Sequence, residues 1–241
     1  MSYNAKRFPG AHGIQLEAWR VSGDLRKPVV LMFPGYGASK DTLLRAAAEF
    51  HAMGNEICLV DFHGAGGSNG TTTTVGFDEA DDVIAAAGQL ESDRKYVLYG
   101  TSMGAAAALR AVHLGKVNPE GMILEAPFDR FVNTIGNRFE KMRLPEFPFA
   151  HLLVFWGGAM NGFNGFNHNP IEYARSVQCP TLLMQGEYDE LVGADVPAKF
   201  GAVLGSRGTI KTIPGAWHAF LFKSQPEIWR SNVREFLAEL N

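Results

Sequence analysis

The stretch Gly100-Thr101-Ser102-Met103-Gly104 constrains this chain more than any other, because of what stands on either side of it. Before it, Lys95-Tyr96-Val97-Leu98-Tyr99 is a short apolar and aromatic run, which predicts a buried strand. After it, residues 105–114 are rich in alanine and leucine and free of glycine and proline, which predicts a helix. A strand, a tight G-x-S-x-G turn and a helix make a nucleophile elbow. The turn lifts the serine hydroxyl clear of a sheet, and glycines two positions to either side leave room for crossing backbones. Such an elbow requires a sheet whose strands alternate with helices.

The rest of the chain supplies that alternation. Strand-like apolar runs fall at 15–21, 29–33, 57–61, 96–99, 121–125, 181–185 and 208–213. Between them, 42–53 carries Leu43, Leu44, Ala47 and Phe50 at helical spacing, and 77–90 carries Phe77, Ala80, Ile84 and Ala87 on one face. Asp78, Glu79, Asp81 and Asp82 crowd the first turn of that second helix, where negative charge opposes the positive end of the helix dipole. A last helix opens with a capping-box pattern, Ser224-Gln225-Pro226-Glu227, and is expected to pack through Ile228, Val233, Phe236 and Leu237. Near-continuous apolar strands separated by helices mean an α/β fold with a mostly parallel sheet covered on both faces. All 241 residues fit one such domain. One interval breaks the rhythm. Residues 128–177 are too long for a crossover and too short for a second domain, and they mix aromatics with turn-rich segments, so a small helical cap inserted over the sheet edge is expected there.

Composition narrows the function classes. The chain is 46% hydrophobic and 20% charged, as in a globular protein, and a formal net charge of −3 offers no field for nucleic acid. No run approaches the length of a membrane span, and residues 1–13 lack the apolar centre of a signal peptide. The expected compartment is therefore the cytoplasm, unless an N-terminal leader or anchor precedes the first strand. Cys58 and Cys179 fall on or beside strands that others should separate by more than the roughly 7 Å a disulfide spans, which makes them two inert core thiols. Histidines and cysteines show no metal-ligand spacing, and neither a metal nor a cofactor is expected.

A serine hydroxyl needs a base, and the base needs an acid to fix its tautomer. In an α/β sheet both belong on loops at the carboxyl ends of later strands, the acid first. After the strand at 181–185 comes Gly186-Glu187-Tyr188-Asp189-Glu190-Leu191-Val192, and after the strand at 208–213 comes Pro214-Gly215-Ala216-Trp217-His218-Ala219-Phe220. Asp189 and His218 stand where an acid and a base are needed. Glu187, Glu190 and Asp195 are neighbours able to replace Asp189, whereas His12, His51 and His63 precede the serine, His113 and His151 have the wrong context, and His168 lies in the cap. An oxyanion needs donors too. Phe33-Pro34-Gly35-Tyr36-Gly37 follows an early strand, and because Pro34 has no N–H the useful amide is that of Tyr36; the second is that of Met103, at the start of the helix after the elbow. The glycine-rich segment 61–70 resembles a phosphate cradle but has Asn69 where a third glycine is required, and Thr71 to Thr74 delays any helix. It is expected to be structural, with Ser68 a decoy.

With these motifs in this order the chain resembles the α/β-hydrolase superfamily, in particular its serine aminopeptidase-like branch of small esterases and hydrolases. The resemblance rests on 33–37, 61–70, 100–104, Ala126-Pro127-Phe128, 186–192 and His218. It implies an eight-stranded, mostly parallel sheet, a catalytic triad of Ser102, Asp189 and His218, and an oxyanion hole of the Tyr36 and Met103 amides. Pro34 departs from the histidine usual before that glycine. The expected reaction is cleavage of a small-molecule carboxylic ester through an acyl-enzyme, by a carboxylesterase-like serine hydrolase. Tyr36, Phe128, Phe131 and Trp156 are candidate pocket residues, although cap aromatics are also ordinary core material. Arg130, Arg138, Lys141 and Arg143 fit either an acidic substrate or a solvated helix face. The same machinery serves thioesters and amides, and a non-catalytic ligand-binding scaffold is the alternative from another class.

Overall fold

The computed structural model describes residues 2–218 and 221–240. In chain order the elements are β1 (Asn4–Pro9), β2 (Gln15–Val21), β3 (Val29–Phe33), α1 (Leu44–Ala52), β4 (Ile57–Val60), α2 (Glu79–Ala87), β5 (Tyr96–Thr101), α3 (Met103–His113) and β6 (Gly121–Glu125). They continue with α4 (Phe131–Lys141), α5 (Phe149–Met160), α6 (Pro170–Tyr173), β7 (Thr181–Gly186), α7 (Val196–Leu204), β8 (Gly208–Ile213), α8 (Leu221–Ser224) and α9 (Pro226–Glu239). One eight-stranded sheet runs β1-β2-β4-β3-β5-β6-β7-β8. Among the described residues, the β1–β2 and β2–β4 pairings are antiparallel and the other five are parallel.

Strand periodicity sorts the core into two layers. In β3, Val29, Leu31 and Phe33 join the layer under α2, α3 and α7, while Val30 and Met32 join the layer under α1 and α9. Both layers are apolar because the inner strands are covered on both faces, which explains why β3 and β6 are buried at every position. Ala105 to Ala108 are fully buried, so α3 lies close against the sheet centre.

The strand at Asn4–Pro9 was not expected. Its sequence, NAKRFP, buries only Phe8, so it lacks the apolar signature of an inner strand, and its charges suit an edge. The capping box does not form either. Ser224 ends α8, Gln225 occupies the position before α9, and no side chain caps that helix. Its buried face is Trp229, Val233, Phe236 and Leu237, with Ile228 turned outward.

Two of the acids in the first turn of α2, Glu79 and Asp82, are buried clamps. The Glu79 carboxylate accepts from the Thr73 and Thr74 hydroxyls and from the Thr74 and Gly76 amides at 2.5–3.0 Å. Asp82 accepts from the His63 amide at 2.8 Å and meets His63 Nδ1 at 2.7 Å. The loop after β4 is tied down elsewhere as well. The Asp61 carboxylate takes the Lys40 ammonium, the Lys40 amide at 2.7 Å and the Gly67 amide at 2.7 Å. Ser68 Oγ donates to Asp61 O and accepts from Glu17 N, each at 2.8 Å, which commits that hydroxyl to the backbone.

The hydrogen bond that the His63 ring donates to the Asp82 carboxylate holds the His63 pKa above its ordinary value, against the burial that lowers it. A raised folded-state pKa gives stability that is fully present below the unfolded value of about 6.5 and is lost as pH climbs through the folded value. The stability difference between wild type and His63→Gln, read from urea melts, should therefore be largest near pH 5.5 and narrow toward pH 9. A difference constant over that range would show that the pair does not titrate as argued.

Candidate active site

β5 ends at Thr101 and α3 begins at Met103, so Ser102 alone makes the turn. Its φ of 51° and ψ of −108° form a conformation that side-chain-bearing residues rarely hold, at a typical cost of about 1–3 kcal/mol. Two backbone bonds hold it there. Ser102 N donates to Glu125 O at 2.7 Å, and Ser102 O accepts from Ala106 N at 3.0 Å. The flanking glycines are required by space: a Cβ on Gly104 would lie 2.4 Å from Phe33 O, and one on Gly100 would lie 2.5 Å from Ala105 N. Behind the turn, the buried Glu125 carboxyl accepts from Tyr99 Oη at 2.7 Å and from Trp229 Nε1, tying β6 to β5 and α9. Burial raises the Glu125 pKa above the usual carboxylate range, and these two donors only partly oppose it.

Ser102 Oγ lies 2.9 Å from His218 Nε2, and His218 Nδ1 lies 2.8 Å from Asp189 Oδ2. The Asp189 side chain has no exposed surface, and its other oxygen accepts from the Leu191 and Val192 amides at 3.1 and 3.2 Å. Only one carboxylate oxygen is thus left for the imidazole. The two loops that carry these residues are interlaced. Glu187 N donates to Ile213 O at 3.0 Å, Tyr188 N to Ala216 O at 2.9 Å, and Gly215 N to the Glu187 carboxylate at 2.8 Å. A Cβ on Gly186 would stand 2.4 Å from Ala216 O and 2.5 Å from Trp217 O, so only glycine permits this approach. Ala219 and Phe220, the end of the second loop as read from sequence, lie outside the described residues.

The other acids near Asp189 have different partners: Glu187 laces the loops, Glu190 pairs with Lys141 at 3.0 Å, and Asp195 pairs with Lys199 at 2.8 Å. The remaining downstream histidines are engaged elsewhere. His113 meets Ser176 at 2.9 Å, and His151 sits on α5 against Phe147. His168 is fully buried, with Nε2 3.0 Å from Val75 O and a pKa lowered to about 4, chiefly by that burial. Cys58 and Cys179 lie on β4 and just before β7, with β3, β5 and β6 between those strands. Burial pushes their thiols up to about 12 and about 11. Among the described residues, no three His, Cys, Asp or Glu side chains gather as a metal ion requires.

On the far side of Ser102, Gly35 comes close enough that a Cβ there would lie 3.7 Å from Ser102 Cβ. Among the described residues, neither the Tyr36 nor the Met103 amide is donated to another group. The Tyr36 ring is 52% exposed, and the Arg138 guanidinium lies 5.8 Å from its centre. Of the other candidate pocket residues, Phe128 and Phe131 are packed in the core around His168, and Trp156 is exposed on α5. Tyr188 and Trp217, half-exposed with ring centres 5.7 Å apart, flank Asp189 and His218 and were missed in the sequence. Adjacency to the acid and base was the signal that pointed to them. The links that α4 makes to the site loops were missed as well. It reaches the loop after β3 through Arg138 and the loop after β7 through Asn137 Nδ2, which donates to Leu191 O at 3.1 Å, and through Lys141.

A family model described as serine aminopeptidase, S33 matches residues 25–152. The uncharacterized protein YqkD of Bacillus subtilis is 22% identical over 249 residues, covering 100% of this chain and 81% of YqkD. The uncharacterized protein Rv2307c of Mycobacterium tuberculosis is 26% identical over 236 residues, covering 94% of this chain and 76% of the relative. Among solved structures, the esterase Pf2001 of Pyrococcus furiosus superposes with a TM-score of 0.80 at 23% identity, covering 99% of this chain and 91% of the esterase. A serine hydrolase involved in carbazole degradation, the CarC enzyme, superposes with a TM-score of 0.70 at 18% identity, covering 98% and 99%. Likeness at such identities is a likeness of fold.

Proposed function

Since this chain belongs to the serine aminopeptidase S33 family of α/β-hydrolases, we propose that Ser102 is its nucleophile and carboxylic esters are its substrates. The observation that carries this reading is the unbroken line from Ser102 Oγ through His218 to the buried Asp189 carboxylate. With Asp189 accepting at Nδ1, the imidazole keeps its proton there and turns the Nε2 lone pair toward the serine. Ser102 Oγ bonds to the ester carbonyl carbon while its proton passes to Nε2. The carbonyl oxygen becomes an oxyanion between the Tyr36 and Met103 amides, each contributing about 3 kcal/mol of transition-state stabilisation. Collapse breaks the bond to the alcohol oxygen, which takes the proton from Nε2 as it leaves. Water then repeats the sequence on the acyl-enzyme, with His218 as base, and releases the acid.

Tyr36, Tyr188 and Trp217 support an apolar acyl or aryl group of small to medium size. Their half-exposed rings stand on the three loops that carry the oxyanion donor, the acid and the base. Residues 128–177 act as a small cap in this reading. α4 spans from the Tyr36 loop to the Asp189 loop, and Phe128 and Phe131 form packed backing rather than an open contact surface. A fluorophosphonate probe should label the native chain at Ser102, as located by peptide mapping. A series of p-nitrophenyl esters should then show a turnover optimum at short or medium acyl length. No labelling, or labelling mapped to Ser68, would refute the assignment.

A further inference from the structure

We infer that Asp61 is a positioning residue of the candidate site: it anchors the turn that carries the Tyr36 amide and so fixes where that oxyanion donor stands. This role rests on the esterase reading proposed above. Residues 35–38 form a tight turn, with Gly37 at a φ of 69°, a left-handed conformation that favours glycine. The turn passes beside the nucleophile, since a Cβ on Gly35 would lie 3.5 Å from Thr101 O and 3.7 Å from Ser102 Cβ. It does little to hold itself there. Among the described residues, the amides of 35–39 donate a single hydrogen bond, from Ala38 N to Gly35 O at 3.2 Å. Upstream, the turn is fixed by β3, whose Phe33 is in register with Gly100 of β5. Downstream, its first backbone hydrogen bond to another part of the fold is at Lys40, whose amide donates to Asp61 Oδ1 at 2.7 Å.

Asp61 suits this task because it is itself fixed. It directly follows β4, the neighbour of β3, its amide donates to Glu17 O at 3.0 Å, and its side chain has no exposed surface. Three donors share its two oxygens. The Lys40 amide takes Oδ1, while the Gly67 amide at 2.7 Å and the Lys40 ammonium take Oδ2. That ammonium is also buried, reaches Glu17 Oε1 at 2.9 Å and stands 4.5 Å from the centre of the Trp19 ring. A Cβ on Gly66 would lie 2.0 Å from Asp61 Oδ2, so the loop after β4 closes tightly on the carboxylate. A buried carboxylate bonded on both oxygens is a rigid reference for whatever it holds. An oxyanion donor needs one. It works by standing in place before the charge develops, and a displacement of about 1 Å can cost about a hundredfold in rate.

Asp61→Asn separates this role from a merely structural one. An asparagine offers one oxygen, and the ammonium and the Gly67 amide, both at the Oδ2 position, hold it there. Its NH2 then faces the Lys40 amide, donor against donor, and the turn is pushed off its anchor. Per site titrated with the fluorophosphonate probe, kcat on p-nitrophenyl butyrate should fall about a hundredfold while KM changes less than about threefold, because the oxyanion exists only after attack. Binding of a trifluoromethyl ketone, whose adduct with Ser102 carries that oxyanion, should weaken by about the same factor. Lys40→Met with Asp61→Asn removes both charges of the buried pair, an exchange that folds tolerate better than the loss of one partner. With the ammonium gone, the Glu17 carboxylate takes the asparagine NH2 and the oxygen turns to the Lys40 amide, so kcat should return to within about tenfold of wild type. The role is overturned by an Asp61→Asn kcat within about threefold of wild type, by a loss that falls on KM, or by unchanged ketone binding. A folded double variant with kcat still down about a hundredfold overturns it too, whether or not the single variant folds. A wild type that takes no probe would overturn the esterase reading, and this role with it.

Discussion

Ser102→Ala should lower turnover of an activated ester by about five to six orders of magnitude, with little change in KM. Triad members act as a unit, and removing the nucleophile leaves only what the oxyanion donors and substrate positioning supply. At about 1.4 kcal/mol per decade, the loss corresponds to roughly 7–8 kcal/mol of the barrier. The fold should survive. Alanine occupies the same strained backbone, the Ser102 amide still reaches Glu125 O, and no buried polar group loses an essential partner. A discontinuous burst assay with p-nitrophenyl acetate checks it: wild type should release a stoichiometric burst, and the variant none. Turnover within tenfold of wild type would move the nucleophile off Ser102.

Asp189→Asn should cost about four orders of magnitude in kcat, through the tautomer of His218 rather than through misplacement. Asp189 Oδ1 accepts from the Leu191 and Val192 amides, so an asparagine must keep its carbonyl oxygen there. Its NH2 then faces His218 Nδ1, which has to accept, and the imidazole proton moves to Nε2. From that position the ring can only donate toward Ser102. Circular dichroism should be unchanged while kcat across pH 6–9 stays uniformly depressed. An Asn variant with wild-type turnover would shift the acid to another carboxylate, with Asp195 the first to examine.

The sheet was legible because its inner strands are apolar at nearly every position, and β3 and β6 are the clearest cases. β1 was not legible, because an edge strand that buries one side chain satisfies its backbone without an apolar pattern. On α9, the periodic positions Val233, Phe236 and Leu237 were readable. The choice between Ile228 and Trp229 turned on the contacts with Phe50, Tyr99 and Glu125, which only the packed structure defines. In the candidate site, the order of motifs singled out Ser102, Asp189 and His218, and the structure brings His218 within hydrogen-bond distance of both others. The links from α4 to the loops after β3 and β7 join residues far apart in the chain with no periodicity to reveal them. α5 misled for a physical reason. Apolar composition reports what a helix can bury, and it is silent on whether anything in the same chain covers it.

The sheet order has a consequence for how the protein comes to work. Ser102 and the two amides proposed for the oxyanion belong to the turns after β3 and β5 at the sheet centre, whereas Asp189 and His218 follow β7 and β8, the last two strands and one open edge. Ser102 and His218 are 116 residues apart in sequence. A ribosome must add those 116 residues before Ser102 can meet His218, and the strand that leads to His218, β8, has a neighbour on one side only. On the proposed triad, the nascent protein stays inert until the strand that leads to His218 is seated, and hydrolytic competence would report on the completion of the sheet.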